Sequence, residues 1–183
     1  AALVAKLLTS GSLKGKRAVI LAGTGPVGRR TAMLLAREGV SEIIITSRNI
    51  EQAQAAAADI KAQFQVDVIP HEAKDNASRR EIIQGAHVLI ATGASGIPLL
   101  EMDDWIHSPT LELIADANAT PPLGIGGVEV MDKGLDRGGK KVWGAIGFGA
   151  LKLGLHRACI AQLFESNDQV LNAEEIFSIA KSM

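Results

Sequence analysis

Six residues, Gly23-Thr24-Gly25-Pro26-Val27-Gly28, follow directly on the run Arg17-Ala18-Val19-Ile20-Leu21-Ala22 and lead into a segment of helical periodicity. A continuously apolar run bounded by glycines is expected of a central parallel strand covered on both faces. From Pro26 to Glu38 the apolar positions Val27, Met33, Leu34 and Leu35 fall at helical spacing, with Pro26 in the tolerated first turn and Gly39 at the stop. The pattern G-x-G-x-x-G therefore sits between a buried strand and a helix, where a dinucleotide-binding loop belongs. In that reading Gly23 permits the tight turn, Gly25 lets the backbone approach a pyrophosphate, and Gly28 lets the helix pack on the sheet. Thr24 offers a hydroxyl to a phosphate oxygen, and the unpaired amides and positive end of the helix that starts at Pro26 face the phosphates. The alternative is an ordinary tight strand-to-helix turn.

The same alternation continues downstream. Ser41 to Ser47 reads as a second strand and Ile50 to Gln63 as a helix of strong intrinsic propensity. Val66 to Pro70, His87 to Ala91 and Thr110 to Ala115 read as further strands, with helices at Ala77 to Gln84 and Pro98 to Ile106 between them. Such a series implies right-handed crossovers and an α/β fold, a Rossmann-type doubly wound parallel sheet with C-terminal helices. Gly124 to Gly154 is rich in glycine and reads as loops around a sixth strand near Lys141 to Ile146. Two helices close the chain, about Ala150 to Glu165 and Ala173 to Ser182, the second entered through Asn172 as N-cap.

The end of the second strand selects the dinucleotide. NAD enzymes usually place an acid there, on the ribose hydroxyls. This chain has Thr46-Ser47-Arg48-Asn49, with no acid. Arg48 is a planar, permanent cation suited to a phosphate, and Ser47 is a hydroxyl donor beside it. The cofactor expected is NADP. The reactive half of a dinucleotide lies across the carboxyl ends of later strands. Thr92, Gly93 and Ala94 at one tip allow close approach of a ring or ribose, and Asp116 and Asn118 at the next can orient ribose or carboxamide by hydrogen bonds. Asp116 and Asn118 read equally well as loop residues satisfying nearby backbone.

Other chemistries find little support. The 19 Lys and Arg against 20 Asp and Glu leave no basic block for a nucleic acid, and an aromatic content of 3% offers no stacking platform. No apolar run approaches a membrane span, and the single cysteine, Cys159, supplies no disulfide framework, so a cytoplasmic location is expected. The four histidines are scattered, and no metal site is expected. Cys159 lies in an apolar helical stretch and reads as a packing residue. Lys152 and His156 stand four apart on the helix after the glycine-rich region, so they share a face and are the candidate catalytic pair. A snorkelling lysine and a packed histidine are the competing reading.

Three stretches, Lys16 to Arg30, Ala117 to Gly127 and Gly147 to Glu165, resemble the NADP-dependent methylene-tetrahydromethanopterin and methylene-tetrahydrofolate dehydrogenases of methylotrophic bacteria. The resemblance implies a pterin-linked or folate-linked one-carbon carrier as small-molecule substrate, oxidation of its methylene bridge, NADP as acceptor and no metal. Lys152 matches a lysine of the family pattern, to which we assign substrate orientation. The resemblance also implies a smaller N-terminal domain over the nicotinamide, with this chain expected to begin at the linker helix. The organisation expected is a linker helix over 1–12, an NADP-binding domain over 13–149, and helices over 150–183 that pack on it and on a missing N-terminal substrate domain. A homo-oligomer is expected, with neither nucleic acid nor membrane as partner. Two rival readings are the NADP domain of a shikimate-dehydrogenase-like enzyme and a non-catalytic NADP-sensing module.

Overall fold

The computed structural model describes residues 1–166 and 168–183. Seven strands, β1 (Arg17–Leu21), β2 (Glu42–Ser47), β3 (Ile69–Glu72), β4 (Val88–Ala91), β5 (Leu113–Asp116), β6 (Lys133–Arg137) and β7 (Lys140–Trp143), form one sheet in the order β3-β2-β1-β4-β5-β7-β6. Every pairing is parallel except that of β6 with β7 at one edge. The chain winds outward from β1 to β3, returns to β4 on the far side of β1, and so opens a crevice at the carboxyl ends of β1 and β4. This is the Rossmann-type doubly wound topology.

The apolar continuity of β1 follows from burial on both faces. Ala18 and Ile20 join Ile45, Ile90 and Leu113 in one core, while Val19 and Leu21 join Ile44, Leu89 and Ile114 in the other. Helices α1 (Ala2–Ser10), α2 (Pro26–Arg37), α3 (Ile50–Phe64), α6 (Gly149–Leu163) and α7 (Ala173–Lys181) contribute to the first core. Helices α4 (Asn76–Ile82) and α5 (Met102–Trp105) cover the second with Ile82 and Trp105. Each fully buried Leu or Ile contributes roughly 1.5–3 kcal/mol of transfer free energy, so this two-sided burial is the main stabilising force. Trp105 is fully buried, and its indole N–H donates to the Gly126 carbonyl at 2.8 Å.

α1 is an integral part of the first core, with Leu3, Val4 and Leu7 buried. The Trp143 indole N–H donates to the Ser10 hydroxyl at 2.8 Å and fastens the end of this helix to β7. α7 is fastened to α2 by ion pairs between Arg37 and Glu174, 2.6 Å, and between Lys181 and Glu38, 2.7 Å. Asn172 caps it by accepting from the Glu174 and Glu175 amides. Among the described residues no helix is long and apolar enough to cross a membrane.

Several boundaries differ from the sequence reading. The third strand begins at Ile69 and not at Val66, because Gln65 closes α3 in the left-handed conformation, φ 58°, and the chain needs three more residues to reach β2. The helix expected from Pro98 is confined to Met102–Trp105, since Leu100 bridges Ile125 in extended conformation. The fifth strand is shifted to end at Asp116, which places that acid inside the sheet. The glycine-rich region holds two strands where one was expected. Lys133–Arg137 and Lys140–Trp143 form a hairpin across Gly138-Gly139, both at positive φ, 61° and 80°, as a two-residue primed turn requires. The strand expected to run to Ile146 stops at Trp143. A Cβ on Gly144 would lie 1.9 Å from the Glu129 carbonyl, and one on Gly147 only 1.7 Å from that of Asp132.

Candidate functional site

The crevice is organised around one residue. Ala22, just past β1, has φ 51°, a conformation that L-residues other than Asn and Asp rarely adopt. Its amide donates to the Thr46 hydroxyl of β2 at 3.0 Å, and its carbonyl accepts from the Thr92 hydroxyl past β4 at 3.2 Å. The left-handed residue of the turn is thus Ala22 and not Gly23. Gly23 is needed for clearance, because a Cβ there would lie 3.0 Å from both the carbonyl and a side-chain methyl of Ile20.

The other two loop glycines have opposite surroundings. A Cβ on Gly28 would stand 2.3 Å from the Gly23 carbonyl oxygen, so this glycine lets α2 close against the loop. A Cβ on Gly25 would meet nothing within 4 Å. Gly25 is the N-cap of α2, contributes no capping side chain, and is followed by no acid in the first turn. The first amides of α2 are therefore without helical acceptors and without a competing carboxylate, in front of open space. Arg29 braces the loop from behind, donating to the Thr24 carbonyl at 2.7 Å and pairing with Asp59 at 2.6 Å.

That open space is a cleft of about 380 Å³, within the range of small-molecule sites. The loop supplies Ala22, Thr24 and Gly25; β2 and its tip supply Thr46, Ser47 and Arg48. Beyond β4, Thr92, Gly93 and Ala94 form the opposite side, extended by the apolar Ile97 and Leu99. Seven residues expected from sequence, Thr24, Gly25, Ser47, Arg48, Thr92, Gly93 and Ala94, thus share one cleft. Gly23 and Gly28 shape it from behind, Pro26 lines a separate groove, and Val27 is exposed on α2. Ser47 is buried, accepts from the Asn49 amide at 3.4 Å and donates to Gln52 Oε1 at 3.2 Å. Arg48 is exposed and has no carboxylate within 4 Å among the described residues.

The remaining candidates lie elsewhere. Asp116 is fully buried, and its two oxygens accept from the Asn118 amide, 2.8 Å, and the Ile125 amide, 2.7 Å. Burial pushes its carboxyl pKa up, against the opposing pull of the Asn118, Ile125 and Gly124 amides. In this structure it clamps the loop from 117 to 125. Asn118 is buried beside it, with Nδ2 unpartnered among the described residues. Lys152 and His156 are exposed on α6, outside this cleft, and their side chains make no hydrogen bond or ion pair among the described residues. Among the described residues no cluster of His, Cys, Asp and Glu has the proximity to hold a metal ion.

Sequence reasoning missed the other seven residues of the cleft, Ala22, Thr46, Gln52, Ala73, Arg79, Ile97 and Leu99. Arg79 is the most consequential. It reaches the site from α4, which the crossover after β3 brings beside the β2 tip, and Ala73 donates its amide to the Ser47 carbonyl at 2.7 Å. The Asp75-Asn76-Ala77-Ser78 capping box is legible as a helix start. Nothing in the local pattern says which side chain beyond it turns toward the second strand.

Residues 3–112 match the family described as Shikimate / quinate 5-dehydrogenase. The chain is 52% identical over 182 residues to the "Bifunctional protein MdtA" of Methylorubrum extorquens, a match that covers 100% of this chain and 62% of that protein. It is 33% identical over 147 residues to the "NAD(P)-dependent methylenetetrahydromethanopterin dehydrogenase" of the same organism, covering 79% of this chain and 48% of that protein. The chain therefore spans less than two thirds of the length of these relatives. Among solved structures it is similar to shikimate 5-dehydrogenase from Listeria monocytogenes in complex with shikimate and NAD, at TM-score 0.58 and 18% identity, covering 96% of this chain and 59% of that one. It is also similar to ligand-free 5-ketofructose reductase of Gluconobacter sp. strain CHM43, at TM-score 0.60 and 21% identity, covering 99% and 61%. At these identities the structural likeness concerns the fold.

Proposed function

Starting from the fact that the chain belongs to the shikimate / quinate 5-dehydrogenase family, a family of pyridine-nucleotide oxidoreductases, we propose that it is the NADP-binding part of a methylene-tetrahydromethanopterin or methylene-tetrahydrofolate dehydrogenase. The observation that carries the cofactor half is the cleft between the glycine loop and the β2 tip. Its lining contains Arg48 and no Asp or Glu, the composition a 2′-phosphate asks for and the opposite of an acid on a free ribose. The residues fit the group: Gly25 leaves open space where a pyrophosphate would lie, and uncapped helix amides face it.

The substrate half rests on the three stretches of sequence resemblance and on the relative whose name contains methylenetetrahydromethanopterin. In this reading bound NADP supplies the hydride acceptor. The carbon that gives up hydride lies between two nitrogens, and the positive charge left behind is shared by them. No proton moves in that step, so orientation rather than an acid-base pair is what the protein must provide. Thr92, Gly93 and Ala94 border the site, and Gly93 is closely packed, since a Cβ would lie 3.3 Å from side-chain atoms of both Ala22 and Leu99. The part of the relatives' length outside this chain would form the other wall of the substrate cleft. Leu153, Ile160, Leu163 and Phe164, exposed around α6, are the face on which we place it.

A second reading, shikimate or quinate as substrate, is favoured by the family match. Oxidation of a secondary alcohol releases a proton as well as a hydride and calls for a general base. The experiment joins this chain to the remainder of the relatives' length and offers methylene-tetrahydromethanopterin, methylene-tetrahydrofolate and shikimate with NADP, following reduced nicotinamide by absorbance. Reduction with a methylene-pterin or methylene-folate and none with shikimate is expected. Turnover of shikimate alone overturns the proposal.

A further inference from the structure

Arg79 is half-buried in the wall of the cleft. One terminal nitrogen donates to the Leu99 carbonyl at 3.2 Å, and the other to the carbonyls of Ala73, 3.4 Å, and Lys74, 3.2 Å. These three acceptors fix the plane of the guanidinium but bring no counter-charge. Of the five N–H donors of an arginine, two remain for an incoming oxygen pair. No carboxylate stands within 4 Å of Arg79 or of Arg48 among the described residues. Asp75, the acid next in reach, is occupied at the start of α4, where it accepts from the Ser78 amide at 2.8 Å.

Two permanent cations therefore border one cleft whose lining is free of acids. Burial holds the Arg79 guanidinium below its ordinary pKa; the charge of Asp75 opposes this, and the proximity of Arg48 adds to it. Like charges gathered at a partly desolvated site oppose each other until an anion arrives between them. The α3 side of the same site is neutral, because Gln52 is there and is engaged by the Ser47 hydroxyl. The second charge comes from α4 instead.

We propose that Arg79 and Arg48 together form a subsite for a phosphomonoester dianion, and that Arg79 is a residue that sets preference for NADP over NAD by holding the 2′-phosphate. The proposal rests on the dinucleotide reading above. A ribose phosphate carries close to two negative charges at neutral pH, which one arginine matches only in part. The three carbonyl tethers make Arg79 the rigid member of the pair, and the exposed Arg48 the mobile one that closes over the ligand.

The test is calorimetric titration of the full chain and of Arg79→Gln and Arg79→Lys with NADP, NAD, 2′-AMP and 5′-AMP. Arg79→Gln is expected to weaken NADP and 2′-AMP about tenfold or more, the range of a charge-assisted contact, and to leave NAD and 5′-AMP within about twofold. Arg79→Lys keeps the charge and is expected to recover part of the loss. Arg79 also braces the loops at Ala73 and Leu99, and a purely structural role would weaken NADP and NAD alike. Equal losses, or an NADP-to-NAD ratio unmoved by either substitution, overturn the subsite while leaving the cofactor reading in place. A wild-type chain that binds neither dinucleotide overturns the cofactor reading and the subsite with it.

Discussion

Alanine at Gly28 and alanine at Gly25 place a methyl group on two sides of one loop with opposite expected effects. At Gly28 the new carbon would stand 2.3 Å from the Gly23 carbonyl oxygen and 2.6 Å from two further Gly23 atoms. That is roughly 1 Å inside an ordinary carbon-to-oxygen contact of about 3.3 Å. The start of α2 must shift by a comparable amount, and with it the packing of Ala32, Leu34 and Leu35. Overpacking of this kind costs about 1–3 kcal/mol, offset by up to about 1 kcal/mol of helix propensity. A net loss of roughly 1–2 kcal/mol lowers the unfolding midpoint of a domain this size by about 2–8 °C. Gly25 has φ −78° and ψ 172°, open to any residue, with nothing within 4 Å of a Cβ. Alanine is a poorer N-cap than glycine, which offsets the roughly 0.4–1 kcal/mol gained from a less flexible unfolded chain. The substitution should therefore be close to neutral, yet weaken NADP by intruding on the pyrophosphate, and Gly25→Val should abolish binding. Thermal unfolding by circular dichroism and NADP titration on the three variants separate the two effects. Undiminished NADP binding by Gly25→Val would refute the reasoning and reduce the loop to a structural turn.

Arg48→Ala should weaken NADP by about 10- to 150-fold and NAD little, since only NADP presents the 2′-phosphate; equal losses in calorimetry contradict that role. Asp116 gives a pH signature. Its folded pKa is raised, so the stability linked to its protonation is fully present below the unfolded value, about pH 3.9, and is lost as pH rises through the folded value. Asp116→Asn removes this dependence but leaves one of the Asn118 and Ile125 amides without an acceptor, a cost of about 1–3 kcal/mol. Urea midpoints from pH 4 to 7 should therefore show wild type more stable than the variant by a gap that narrows as pH rises. A gap that widens instead means that the amide hydrogen bonds outweigh burial.

The parts of the fold legible in sequence are those governed by local periodicity and by glycine placement. The apolar run of β1, the loop and α2 were legible because strand, turn and helix each impose their own spacing on contiguous residues. The β6-β7 hairpin was missed although Gly138-Gly139 marks it. Its β6 strand, Lys133–Arg137, is an edge strand with mostly polar residues, and it carries no apolar alternation to set against the surrounding glycines. In the site, Arg48 was legible because it follows a strand that points at the glycine loop. Arg79 was not, since its position depends on where β3 begins, and β3 carries only one fully apolar side chain, Ile69, and a proline. Asp116 was drawn toward ligand chemistry by a strand end misplaced by one residue. Once β5 extends through it, its carboxylate is enclosed and committed to backbone.

The left-handed Ala22 has a consequence for how a ligand is received. Because Thr46 and Thr92 hold the amide and the carbonyl of a single strained residue, the β2 side and the β4 side of the cleft are bolted to one rivet and cannot relax independently. The roughly 1–2 kcal/mol that a left-handed alanine costs is spent at folding, before any nucleotide arrives. A dinucleotide then meets a seat already set, and little ordering of the strand tips is left to oppose its binding. Amide exchange at Ala22 should consequently be as slow in the free chain as in the complex, and Thr46→Val, which cuts one side of the grip, should make binding more costly in entropy without removing any atom that touches phosphate.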